Sequence, residues 1–346
     1  MKNASLYSWG LGIGTQNSAG EWLEVFYPQP MLEPSSSVIK ALEVALRYQG
    51  DTQVVELGNE QLSALKTAFI GQGLPDQATL AEQLLSSSKP VVATLLAKDG
   101  NPSSVPEIYL KLHLLSHRLV KPHQTDLTGM FGILPNVAWT SAGAIALEEL
   151  PQRQLEARLK GELLEVMSVD KFPKMTNYVV PTGVRIADTD RVRLGAHLGE
   201  GTTVMHEGFV NFNAGTKGTS MVEGRISAGV VVGEGSDLGG GCSTMGTLSG
   251  GGNIIISVGN DSLIGANAGL GIPLGDRCII ESGLYITAGT KVTLLDASNK
   301  EISTLKAREL AGKPDLLFRR NSQTGRIECK INKAAVALNE ELHANN

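Results

Sequence analysis

An α/β N-terminal domain, then a parallel β-helix, then a small C-terminal β unit is the fold predicted by this 346-residue chain. Three observations predict it. The first is an apolar beat of six residues: Ile186, Val192, Leu198, Val204, Val210; then Ile226, Val232, Leu238; then Val258, Ile264, Leu270; then Leu274, Ile280, Ile286, Val292. Period six is neither the helical period of about 3.6 nor the strand period of about 2; it marks hexapeptide repeats whose short strands each send one side chain into a narrow prism. The second is composition. Forty glycines and only 5% aromatic residues suit a slender core with tight corners better than a bulky one. The third is that helix-like and strand-like patterns alternate before the beat begins.

Residues 1–135 read as the α/β domain. Pro34 and Ser35–Ser37 offer caps for a helix over 38–46, whose apolar residues have helical spacing. A strand is expected at 52–57, helices at 61–69 and 77–85, a strand at 90–96 and a helix at 105–119. Residues 136–179 read as a helical linker carrying a charged amphipathic helix at 151–166. The β-helix is expected over 180–295. Residues 296–346 then form a β-hairpin/helix unit, with Asn321-Ser322-Gln323-Thr324-Gly325 turning between two short strands. Open solenoid ends expose unpaired strand edges, and the flanking segments can cap them.

Composition narrows the function classes. A net charge of −5 without a long basic run argues against nucleic acid as the main partner. No stretch is apolar enough to span a membrane, and the first twenty residues lack the order of a signal peptide. Cys242, Cys278 and Cys329 are scattered without metal-ligand spacing, which fits reduced thiols in a cytoplasmic protein.

The beat breaks at 211–225 and again at 239–253. The second segment, GGGCSTMGTLSGGGN, reads as a loop rather than a coil, one that lets a ligand approach the backbone. Glu223 and Arg225 stand two apart, so on a strand they project to one face. They form either a surface ion pair or a carboxylate base beside a cation that holds an anionic substrate. Asp190 and Glu207 are 17 residues apart, close to one turn of the prism. They are either solvated surface acids or, if their corner faces a three-fold axis, ligands for a hard cation. His206 is a candidate base beside Glu207.

The runs MHEGFVNFNAGT (205–216) and MVEGRIS (221–227), with the glycine segment 239–253, resemble the tetrahydrodipicolinate N-succinyltransferase family, in its actinobacterial and pseudomonad branch. The resemblance is strong over 180–322 and loose in the N-terminal domain. It implies a homotrimer of left-handed parallel β-helices with active sites between subunits. It also implies succinyl transfer from succinyl-CoA to the amino group of the ring-opened dicarboxylate, in lysine and diaminopimelate biosynthesis. By motif, Glu223 is the catalytic carboxylate and Arg225 meets the acyl donor. Gly240, Ser243, Ala266, Glu281, Ser282 and Gly289 line the succinyl-CoA groove, completed by Lys306, Arg319, Arg320, Asn321 and Ser322. The resemblance further implies a structural Mg²⁺ at Asp190 and Glu207 on the trimer axis. Two other readings compete: a hexapeptide-repeat acyltransferase using acetyl-CoA, and a β-helix scaffold without catalysis.

Overall fold

The structure is a computed structural model that describes residues 6–246 and 254–331. The chain divides into two units: residues 1–119 with 124–173, and residues 120–123 with 174–346.

The first unit is built on an antiparallel sheet in the order β2-β1-β5-β4, with β3 pairing β1: β1 is Ser8–Gln16, β2 Trp22–Phe26, β3 Met31–Leu32, β4 Gln53–Leu57 and β5 Val91–Leu96. Strand β1 alternates Trp9, Leu11 and Ile13 with glycines. Its large side chains pack with Ala93 and Leu95 against helices α1 (Ser36–Leu46), α2 (Asn59–Gly71) and α3 (Pro75–Leu84). A Cβ on Gly10 would strike Tyr27 and Leu110, so the bare backbone lets α4 (Val105–Ser116) close on the opposite face. Both faces are therefore covered, and β5 is buried at every position. Ser35 caps α1 as its sequence suggests, its hydroxyl accepting from the Val38 N–H.

The stretch read as a helical linker carries a second sheet. Strands β6 (Val137–Thr140), β7 (Gly143–Ala146) and β8 (Val166–Asp170) run in the order β7-β6-β8, and a short helix, α5 (Met130–Ile133), precedes them. Helix α6 (Leu150–Leu159) is shorter than expected because Gly161 takes φ +76° just past it, a C-terminal stop.

The second unit is the parallel β-helix. Its coils pair in register at sixteen or eighteen residues, as in Val204 with Val222 and Ile264 with Ile280. Three interior columns result: Val204, Val222, Leu238, Ile264, Ile280; Val210, Ile226, Thr244, Leu270, Ile286; and Leu198, Thr216, Val232, Val258. Thr216 and Thr244 are as buried as the aliphatics. Thr244 donates to the Arg225 carbonyl at 2.9 Å, and Thr216 and Thr202 share a 2.7 Å hydroxyl contact. The two breaks in the beat are thus corrected: threonine replaces valine at nearly equal size, and backbone partners satisfy its hydroxyl. The coil runs unbroken through 211–225 and 239–246; residues 247–253 of the glycine segment lie outside the described residues. The larger step between Leu238 and Ile264, twenty-six residues, contains them.

The C-terminal hairpin joins the same structure. Leu316–Arg320 pairs in parallel with Ile279–Ile280 and antiparallel with Ile327–Ile331, extending the coil sheet. No helix among the described residues is long and apolar enough to cross a membrane.

Candidate active site

Glu223 follows directly on the strand Ser220–Val222, at a corner of the prism. Its N–H donates to the Leu238 carbonyl at 2.8 Å. The next residue has to be glycine, because a Cβ on Gly224 would collide with the Cys242 Sγ of the following coil. Gly224 is therefore a turn, and the strand Arg225–Ile226 begins after it. This corrects the expectation that Glu223 and Arg225 share a strand face: they flank a corner. Among the described residues Arg225 has no ion-pair partner, Glu223 included, and it is exposed.

The same corner repeats along the prism. Gly239 donates to Ile264 O, Gly265 to Ile280 O and Glu281 to Phe318 O, the bond that Glu223 makes to Leu238 O. Glu223, Gly239–Gly240, Gly265–Ala266, Glu281–Ser282 and Arg319–Arg320 accordingly form one column. A Cβ built on Gly240 would stand 3.4 Å from Glu223 Oε2, so the carboxylate lies against this bare backbone. Among the described residues none accepts from the N–H groups of Gly240, Ala266 or Ser282. From Glu223 toward the hairpin the column therefore presents a carboxylate, then open backbone donors, then a second carboxylate, Glu281, beside the cations Arg319 and Arg320. Such donors suit an oxygen that gains negative charge.

Ser243 and Arg225 lie side by side on the adjacent face, in a row with Phe209, Gly269 and Tyr285. The Tyr285 ring covers Gly269. Beneath the corner, burial pushes the Cys242 thiol up to about 12, with Arg225 lowering and Glu223 raising it. That thiol is protonated at neutral pH, so Cys242 packs the corner and is no nucleophile.

At the far end the residues divide. Arg320 is exposed and has no ion-pair partner among the described residues, and its N–H donates to Glu281 Oε2 at 2.6 Å. Arg319 and Asn321 both turn toward Glu328. Ser322 sits exposed in the hairpin turn. Gly289 and Lys306 are exposed and close together, since Ala307 and Arg308 donate to Thr290 O and Ala288 O. Glu328 escaped sequence reading, because a lone acid in a short strand gives no signal of burial.

Asp190 and Glu207 are half or more exposed, and each is already paired within the chain, Asp190 with Lys174 at 3.1 Å and Glu207 with Arg191 at 2.9 Å. Carboxylates suit a hard cation, yet among the described residues no group of three or more His, Cys, Asp or Glu is placed to hold one. One chain supplies too few donors. His206 is exposed and contacts Glu207 Oε1 at 3.0 Å; the Met205 N–H donates to Val222 O as Glu223 does to Leu238 O, so Met205–His206 form the preceding coil of the same corner column.

Known proteins are similar over the whole chain. A family model described as the middle part of tetrahydrodipicolinate N-succinyltransferase matches residues 134–174, and one described as the hexapeptide repeat of succinyl-transferase matches 255–288. The chain is 66% identical over 342 residues to the 2,3,4,5-tetrahydropyridine-2,6-dicarboxylate N-succinyltransferase of Pseudomonas aeruginosa, covering 99% of each. It is 58% identical over 340 residues to the protein of that name from Vibrio cholerae, covering 98% of this chain and 99% of the other. A crystal structure from Campylobacter jejuni, described as a 2,3,4,5-tetrahydropyridine-2-carboxylate N-succinyltransferase, superposes with a TM-score of 0.87 at 33% identity, over 97% of this chain and 95% of that one. The solenoid is accordingly a left-handed parallel β-helix of the hexapeptide-repeat transferases.

Proposed function

The chain belongs to the tetrahydrodipicolinate N-succinyltransferase family, and from that premise we propose how its corner column carries the chemistry. The enzyme transfers succinyl from succinyl-CoA to the amino group of ring-opened tetrahydrodipicolinate. Water opens the ring, and transfer to the amine so exposed gives N-succinyl-2-amino-6-oxopimelate and CoA, a step of lysine and diaminopimelate biosynthesis.

The observation that carries the assignment of roles is the Glu223 carboxylate lying against Gly240, whose N–H is open. Attack on a thioester puts negative charge on the carbonyl oxygen and requires the amine to lose a proton. The Gly240 N–H is a preorganised donor for that oxygen. Glu223 is the carboxylate within the same corner, and a positioned base contributes about 10²–10⁴-fold. An alternative use of the same carboxylate is attack on the thioester to form a succinyl anhydride, which the amine then opens. Trapping a succinylated enzyme without acceptor supports that route; failure to trap supports the base.

Arg225, exposed and without an ion-pair partner among the described residues, takes the succinyl carboxylate, a pairing that a guanidinium makes with two parallel hydrogen bonds. Ser243 lies beside it. Gly240, Ala266, Glu281 and Ser282 line the path of the donor, and Arg320, Lys306, Gly289 and Ser322 receive its distal, phosphate-bearing part. The working assembly is a homotrimer, because the prism offers flat outer faces and Arg225 and Tyr285 stand exposed on one of them. Copies of Asp190 and Glu207 brought together by assembly would supply the donors that one chain lacks for Mg²⁺. The ion's role is then structural: it raises the melting temperature of the trimer without changing turnover of intact trimer. Light scattering that finds an active monomer removes the shared-site reading.

Thiol release separates this function from the acetyl-transfer and scaffold readings. Release is expected with succinyl-CoA plus the dicarboxylate, and not with acetyl-CoA plus the dicarboxylate. Equal release from both donors would contradict the assignment of Arg225, and none from either would contradict the function.

A further inference from the structure

We propose that Glu328 is a positioning residue of the donor site, the buried carboxylate that sets the C-terminal hairpin so that Arg320 meets the phosphates of CoA. The inference rests on the donor path proposed above. Glu328 stands directly opposite Arg319 in the antiparallel pair, with its side chain only 9% exposed. Its Oε2 accepts from Arg319 Nε at 3.0 Å and Nη2 at 2.9 Å, and its Oε1 accepts from Asn321 Nδ2 at 2.7 Å. Asn321 in turn accepts from the N–H groups of Gln323 and Thr324 at 3.0 Å each. Arg319 is thus neutralised and Asn321 is fully engaged, which leaves both as framework. Among the described residues Arg320 beside them is exposed and has no ion-pair partner, and Glu281 anchors its backbone.

Distance supports the division. Glu223 and Arg319 are four strand steps apart along the column, which is about 19 Å at the usual strand spacing. That is the scale of a pantetheine arm. A thioester at Glu223 therefore puts the phosphates of CoA at the hairpin. A buried ion pair roughly breaks even in stability against apolar residues, so the cluster's value lies in fixing geometry where a flexible dianion has to be met.

The test compares succinyl-CoA with succinyl-pantetheine, which keeps the thioester and lacks the phosphates and nucleotide. Glu328→Gln is expected to raise KM for succinyl-CoA about tenfold, the scale of a lost charge-assisted hydrogen bond, with kcat and KM for succinyl-pantetheine near wild type. Arg319→Gln should give the same pattern, and the double variant should be no worse than the worse single, since both act through one contact. Glu328→Asp, which keeps the charge, should restore most of the loss. An equal rise in KM for both donors, a loss confined to kcat, or strict additivity would overturn the positioning role. If Glu328→Gln does not fold, Arg319→Gln and Glu328→Asp read the same ratio between donors. A wild-type enzyme that does not turn over succinyl-CoA would overturn the donor reading itself; normal wild-type turnover with an unchanged ratio in Glu328→Gln would overturn only this proposal.

Discussion

The two units bury different kinds of polar group. In the first, ionisable side chains lie inside: Lys111 is 1% exposed and donates to Asp99 Oδ1 at 2.6 Å and to the carbonyls of Gly100 and Asp126 at 2.6 and 2.7 Å. His113 is fully buried, donating through Nδ1 to Tyr109 O and accepting at Nε2 from the Tyr27 N–H. In the second unit the buried polar residues are mainly Ser and Thr that bond to backbone, and its one buried carboxylate among the described residues is Glu328. Repetition alone specifies a coil, so its charges are free to sit on exposed corners such as those of Arg225 and Arg320. The α/β unit has no repeat, and a satisfied buried network helps to fix one arrangement of its core.

The sharpest contrast is expected at glycine. Gly215 has φ +147°, and a Cβ there would run into the His197 carbonyl oxygen of the neighbouring coil. Gly215→Ala is expected to cost more than about 4 kcal/mol, the range of severe single substitutions, or to prevent folding. Gly100 of the first unit faces open space, and Gly100→Ala should stay within about 0.5 kcal/mol of wild type. Urea denaturation reads both. A mild Gly215→Ala would mean that the coils slide past one another more freely than their register implies.

The next effect probes the first unit. Lys111→Met leaves Asp99 without its cation and two carbonyls without their donor, and about 3 kcal/mol should be lost. A neutral result would show that the network is replaceable by packing.

A third effect builds gradually with pH. Burial lowers His113 from 6.5 to about 3, with the bond to Tyr109 opposing that and His117 adding to it. Between those values the unfolded chain binds a proton that the native chain does not, so stability rises with pH and falls on acidification from about 6.5 toward 3. The slope approaches about 1.4 kcal/mol per pH unit for this one group. Thermal melts from pH 7 to 4 should show it, and His113→Gln, which keeps a donor and an acceptor but does not titrate, should flatten it. An unchanged slope in that variant would assign the acid sensitivity elsewhere.

The same contrast explains what the sequence reveals. The prism was legible because Val204, Ile226, Ile264 and their partners recur at one spacing, and all but the half-buried Ile186 at its start lie inside. Thr216 and Thr244 hid two coils, since a pattern of apolarity does not count a threonine whose hydroxyl the backbone satisfies. Strand β1 went unread because Gly10, Gly12 and Gly14 mask its alternation, although they are what admits Tyr27 and α4. Glu223, Gly240 and Arg225 are candidates that local motifs single out. The column that joins them to Arg320 is a register effect across residues nearly a hundred apart, and Glu328 acts through a contact that only the folded hairpin makes.

In the proposed mechanism the Glu223 carboxylate acts directly on the reacting groups at the Gly240 corner. Steady-state kinetics of Glu223→Gln tests it, because the variant keeps shape and hydrogen bonding and removes both basicity and nucleophilicity. kcat is expected to fall by at least about 100-fold, with succinyl-CoA binding by calorimetry little changed. Near-normal turnover in a folded Glu223→Gln enzyme would contradict it.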